Sequence, residues 1–191
     1  MRILLTTHNL KASALLLTVC FVPHLLKAAD ETAAKGTAVK HQRIFTGDYQ
    51  HFIKNWDAKK NPVLCAVLRT PSQYDALFDP APLMRDKRPC APEEGIYKEE
   101  QILVVARVMT APDDMDKVFA IEKVVEAGQD LMLYYRLKEP TTTATHSVKN
   151  YLALRVPQRD YQRVLFFENG KQVGELKPAN GTWSVPTFEV E

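Results

Sequence analysis

Apolar and polar positions alternate with a period of two along most of this chain. Between 101 and 108, Ile102, Val104, Ala106 and Val108 share one side, and Leu103, Val105 and Arg107 the other. Between 131 and 137, Leu131, Leu133, Tyr135 and Leu137 alternate with Met132, Tyr134 and Arg136; between 147 and 156, Val148, Leu152, Leu154 and Val156 alternate with Lys149, Tyr151 and Arg155. Successive side chains on a strand point to opposite faces, so each run predicts a β-strand. Residues 118–125 predict another, and 43–46 a shorter one. In "RVLFFENGKQVGEL" two such runs flank Asn169-Gly170. Both central residues of a type I′ turn need positive φ, which Asn and Gly tolerate, so this stretch predicts a hairpin.

The run "VLCAVL" at 63–68 is apolar on both alternating sides, Val63, Cys65 and Val67 against Leu64, Ala66 and Leu68, which predicts a strand buried on both faces. Thr70 and Pro71 then supply a helix start, with Tyr74, Leu77 and Phe78 facing inward and an end at Asp79-Pro80. Residues 80–97 carry Pro80, Pro82, Pro89 and Pro92 and predict a long loop. Strands at this spacing with one short helix predict a mostly β fold, α+β by strict count: an antiparallel sandwich or barrel-like sheet.

The first residues follow a different pattern. Arg2 and Lys11 precede an apolar stretch at 12–22, Pro23 and His24 interrupt it, and small residues follow near Ala28. That is the layout of a secretory signal peptide, and the apolar stretch is short of the roughly 20 residues that span a bilayer. The expected organisation is a signal peptide at 1–28, a flexible linker at 29–42, a single β-rich domain at 43–178, and a tail or edge segment at 179–191. The chain is expected to be exported, periplasmic or secreted, with no integral membrane segment once processed. Lipid anchoring through Cys20 is the less favoured reading, because Val19 stands where a small residue normally precedes a lipidated cysteine.

Removing residues 1–28 takes away Arg2, Lys11 and Lys27 and no acid, lowering the formal charge by three, from +2 to −1. With no basic stripe interleaved with aromatics, nothing here predicts nucleic-acid binding. Loss of Cys20 leaves Cys65 and Cys90, an even pair in an oxidising compartment, expected to form a disulfide. Closing a loop of that length contributes about 3.5 kcal/mol in the chain-entropy model. A reactive thiolate at Cys65 is disfavoured by its apolar surroundings, and zinc by the lack of closely spaced partner ligands.

Other chemistry is sparse. Asp113, Asp114 and Asp116 could face a hard cation, but the spacing is not an EF-hand and a solvated turn is the simpler expectation. His41, His51 and His146 are scattered, and Glu93, Glu94, Glu99 and Glu100 form a charged connector. No cofactor, metal or catalytic set is expected. The Thr-rich loop after Pro140, with Thr141, Thr142 and Thr143, could hydrogen-bond a partner, and Tyr134, Tyr151 and Arg155 lie on predicted outward faces.

The segments "YKEEQILVVARVM", "KVFAIEKVVEAGQDLMLYYRLKEP" and "SVKNYLALRVPQRDYQRVLFF", preceded by "LRTPSQYDALF", together resemble the carboxy-terminal domain of the PrcB-like family of exported proteins. The likeness covers 63–173 as an order of strands and loops; "TAPDDMDK" lacks the glycine-containing turn typical of that family. The resemblance implies a non-enzymatic domain that stabilises or assists another envelope or secreted protein, and it carries over no catalytic residues. The expected function is therefore a binding or assembly module acting through an edge strand or end loops. The alternatives are a hydrolase with dispersed catalytic residues and a small-ligand binder in a barrel mouth.

Overall fold

The computed structural model describes residues 36–44, 51–80, 91–139 and 141–183. The expected signal peptide therefore lies outside the described residues, as does Cys90. The elements run β1 (Thr37–Ala38), β2 (Gln42–Arg43), β3 (His51–Ile53), β4 (Val63–Leu68), α1 (Pro71–Leu77), β5 (Phe78–Pro80), β6 (Glu100–Thr110), β7 (Phe119–Ala127), β8 (Asp130–Leu137), β9 (Ser147–Pro157), β10 (Arg163–Glu168) and β11 (Lys171–Leu176).

Two sheets stack face to face. Sheet A has the order β1-β7-β8-β10-β11 and sheet B the order β2-β9-β6-β4, with β3-β5 as a separate small ribbon. The expected sandwich is present, and among the described residues no closed barrel forms. Pairing is antiparallel except for β8 with β10. Between those two strands the chain crosses to sheet B as β9 and returns, the long connection that parallel neighbours require.

Alternation in the strands divides the molecule into layers. Cys65 and Val67 of β4, Leu103 and Val105 of β6, and Leu152 and Leu154 of β9 meet Leu131, Leu133, Tyr135, Val164 and Phe166 of sheet A in the central core. The opposite face of sheet B, with Leu64, Ala66, Leu68, Ile102, Val104 and Ala106, packs under Tyr74 and Leu77 of α1 and under Ile53, Trp56, Phe78 and Tyr97. The strand at 63–68 is thus buried on both faces, each large side chain contributing about 1.5–3 kcal/mol of transfer free energy.

Helix α1 starts as its residues dictate. Thr70 is extended and its hydroxyl accepts from the Gln73 N–H at 3.2 Å, with Pro71 at the first helical position. The Asn169-Gly170 hairpin also forms, with φ of 50° and 78° at its two turn residues. Two departures concern the ends of the domain. The segment expected to be a flexible linker supplies β1, paired with β7, and β2, paired with β9. Backbone pairing needs no apolar side chain, so only Val39, 8% exposed in the central core with its N–H on the Val124 carbonyl, hinted at this docking. At the other end, Trp183 inserts into the same core, tied by its carbonyl to the Gln73 side chain.

Candidate functional site

The strands deliver their loops to one pole of the sandwich: the end of β6, the acidic turn, the end of β8, the Thr-rich loop and the Asn169-Gly170 hairpin. The turn and the Thr-rich loop are laced together. The Ala111 N–H donates to the His146 carbonyl at 2.9 Å and the Asp113 N–H to the Thr141 carbonyl at 3.0 Å. The Thr142 hydroxyl donates to the Ala111 carbonyl, and the Thr143 N–H reaches Asp113 Oδ1 at 3.4 Å. The end of β8 joins them, the Lys138 N–H donating to the Val118 carbonyl at 2.8 Å.

The three aspartates are committed to separate partners. Asp114 caps the short 3-10 turn Met115–Lys117 by accepting from the Asp116 N–H at 3.1 Å, and it pairs with Lys117 Nζ at 2.8 Å. The Lys117 hydrogen bond holds the Asp114 carboxyl below the usual carboxylate range. Asp116 meets Arg43 at 3.4 Å, while the same guanidinium donates to the Asp116 carbonyl at 2.7 Å. Among the described residues no group of three His, Cys, Asp or Glu side chains converges to hold a metal ion.

Two concavities open on this pole. One, of about 400 Å³, lies between Asp113, Asp114, Lys117, Lys138, Glu139 and Thr141. The second, of about 410 Å³, has Val108, Met109 and Leu137 as its apolar part, with Arg107 and Glu168 behind them. Both are bordered by the exposed residues Lys138 and Glu139. Val108, 42% exposed, stands in the second, and each volume is within the range of small-ligand or peptide side-chain pockets.

Behind that apolar patch lies a polar cluster that joins the sheets. Arg107 of β6 donates from Nε and Nη2 to Glu168 of β10 at 3.0 and 2.5 Å, and the Tyr135 hydroxyl donates to the same carboxylate at 3.0 Å. Tyr135 is 0% and Glu168 9% exposed. Burial, together with the neighbouring Glu168 charge, pushes the Tyr135 phenol well above its ordinary value. Burial likewise pushes the Cys65 thiol up to about 12, against a smaller opposing effect of Arg107. A thiol so held is not a nucleophile at neutral pH.

The six residues expected to form a partner surface fall in three places. Thr141, Thr142 and Thr143 are at this pole. Tyr134 lies on the outer face of sheet A, stacked on Phe167 with ring centroids 4.4 Å apart. Tyr151 and Arg155 lie on sheet B, Tyr151 buried against Phe78 at 5.2 Å and Arg155 paired with Glu100, Nε to Oε2 at 2.7 Å. Tyr134 and Tyr151 are only 8% and 9% exposed, so both pack within the fold. As for the cysteines, Cys65 carries a free, buried thiol, and Cys90, its expected partner, lies outside the described residues.

Sequence reasoning missed the Arg107–Glu168–Tyr135 cluster and the second concavity. A signal was present: the side of β6 carrying Leu103 and Val105 continues with Arg107, a cation placed toward a core that must contain its counter-charge. Among the described residues no helix is long and apolar enough to cross a membrane. No protein-family model matches the chain, and neither the curated proteins nor the solved structures yield a match.

Proposed function

We propose that this chain is an exported, non-enzymatic binding or assembly module that engages another envelope or secreted protein through its loop-built pole. The observation that carries this reading is the bracing of the Thr-rich loop against the acidic turn, beside a concavity where exposed Val108 neighbours the half-buried Met109 and Leu137. Loops fixed before binding lose little conformational entropy when a partner docks. The neighbouring concavities, apolar in part and bordered by Lys138 and Glu139, suit a short peptide segment of mixed charge. The export pattern in residues 1–28 and the resemblance to PrcB-like domains support the same reading.

Site-specific photocrosslinking in the producing cell tests it. A photoreactive residue at Val108 or Thr143 is expected to trap one discrete protein adduct, and Val108→Asp should weaken trapping from position 143 by about tenfold, the loss of a central apolar contact. Equal adducts from Lys98, which precedes β6 at the opposite pole, would overturn the assignment.

A further inference from the structure

The opposite pole of the sandwich, where β6 begins, holds buried polar atoms that the fold leaves unmatched. Among the described residues, Gln101 Nε2 and Oε1, Gln158 Oε1 and Trp183 Nε1 are shut off from solvent and meet no hydrogen-bonding group of the protein. Gln101 is 0% and Trp183 2% exposed. Trp56 differs, its indole N–H donating to the Asn61 carbonyl at 2.8 Å. Buried amides and indoles nearly always find a partner, because each group left unmatched lowers the folding equilibrium constant about tenfold.

The sheet register brings these atoms to one place. Gln101 shares the side of β6 that carries Leu103 and Val105, so it faces the layer between the sheets. The Gln158 N–H donates to the Glu99 carbonyl at 2.7 Å, which continues the β6–β9 ladder one residue beyond Pro157. Gln158 therefore shares the side of Leu154 and Val156, and it is the diagonal neighbour of Gln101, whose direct partner is Val156. Trp183 arrives from the other flank of Gln101. The Gln73 side chain accepts from the Arg69 N–H at 2.6 Å and donates to the Trp183 carbonyl. Arg69 follows Leu68, the partner of Ile102, and so stands beside Gln101 on the neighbouring strand. From there the Trp183 ring enters the central core.

We propose that the base of the core is a binding site for internal water, which bridges Gln101, Gln158 and Trp183. The indole N–H and the Gln101 amide NH2 donate, and the two Gln carbonyl oxygens accept. A water molecule both donates and accepts, so it satisfies the whole set; a cation would face the donors and an anion the acceptors. Turning the Gln101 amide over leaves the same set, since both of its polar atoms need a partner. The bridge fastens the segment that follows β11 to β6 and to the end of β9. The inference is independent of the partner reading above, which concerns the loop-built pole.

Nuclear magnetic resonance of the full chain provides the test. The Trp183 indole proton, assigned by its loss in Trp183→Phe, is expected to show a direct Overhauser cross-peak to water. Gln101→Leu, close to the original in volume, removes two of the water's partners. It is expected to weaken that cross-peak and to lower the folding equilibrium constant, read by urea denaturation, about tenfold. A Gln101→Leu chain as stable as its parent, or more stable, would mean a dry site with an unmatched amide and would overturn the proposal. A Trp183 indole proton with no cross-peak to water in the unaltered chain would overturn it equally, whether or not the variant folds.

Discussion

At Gly174 the edge strand β11 comes so close to β4 that a Cβ would stand 2.5 Å from Cys65 Sγ and 3.2 Å from Cys65 Cβ. The Cys65 Cβ is fixed by a buried strand, and Sγ could move only by turning χ1 into the packed core. Gly174→Ala is therefore expected to destabilise the protein by about 1–3 kcal/mol, the usual cost of overpacking. In a Cys65→Ala background the loss should largely vanish, and urea denaturation of the four chains of that cycle checks it. Cys65 also contributes to a pH dependence. Burial raises the folded-state thiol to about 12, raises Tyr161 to about 12, and raises Tyr135 further. Each group ionises in the unfolded chain before it can in the folded one. Their stabilising contributions are complete below about pH 8.5, near the unfolded thiol value, and are lost as pH rises through the folded values. A denaturation midpoint lower at pH 10.5 than at pH 8 is the expected outcome. None of this was legible in the sequence at Gly174, because a glycine in an alternating run does not name the side chain it must admit.

The individual elements were far more legible than their partners. The doubly apolar "VLCAVL", the Thr70-Pro71 helix start and the Asn169-Gly170 turn are each governed by neighbours within a few residues, and each forms as the local pattern dictates. Pairing partners are set by contacts distant in sequence, and for that reason the parallel β8–β10 pair and the docking of β1 and β2 went unforeseen. The Arg107–Glu168 contact is of the same kind, bridging 61 positions and two sheets. Its side chains are 21% and 10% exposed, so removing one partner strands the other in a poorly solvated place. Arg107→Ala is expected to cost about 3 kcal/mol, whereas replacing both with apolar residues of similar size, Arg107→Met with Glu168→Leu, should cost far less. Thermal denaturation of the single and double variants distinguishes a network that stabilises by pairing from one that tolerates only joint removal.

The layering of the whole molecule constrains the cysteines in a way their count does not. Cys65 projects into the core between the sheets, packed with Val105 and Phe166. Ala91, the residue after Cys90, packs on the opposite face of sheet B with Ile53, Phe78 and Tyr97. Strand β4 itself lies between these two layers. A disulfide requires Cβ atoms about 3.5–4.5 Å apart, and one-residue slippage of a strand moves every side chain to the other face. Period-two alternation showed that both faces of 63–68 are apolar. It could not show which face meets the other sheet and which meets the proline-rich segment, because that choice depends on where the whole second sheet lies. The layering predicts that Cys65 in the native, unreduced protein resists alkylation at pH 8, and that denaturant without reductant makes it fully reactive. Quantitative alkylation followed by peptide mapping reads this directly. A Cys65–Cys90 peptide recovered intact would overturn that prediction and restore the expected disulfide, reached around β4, the edge strand of sheet B.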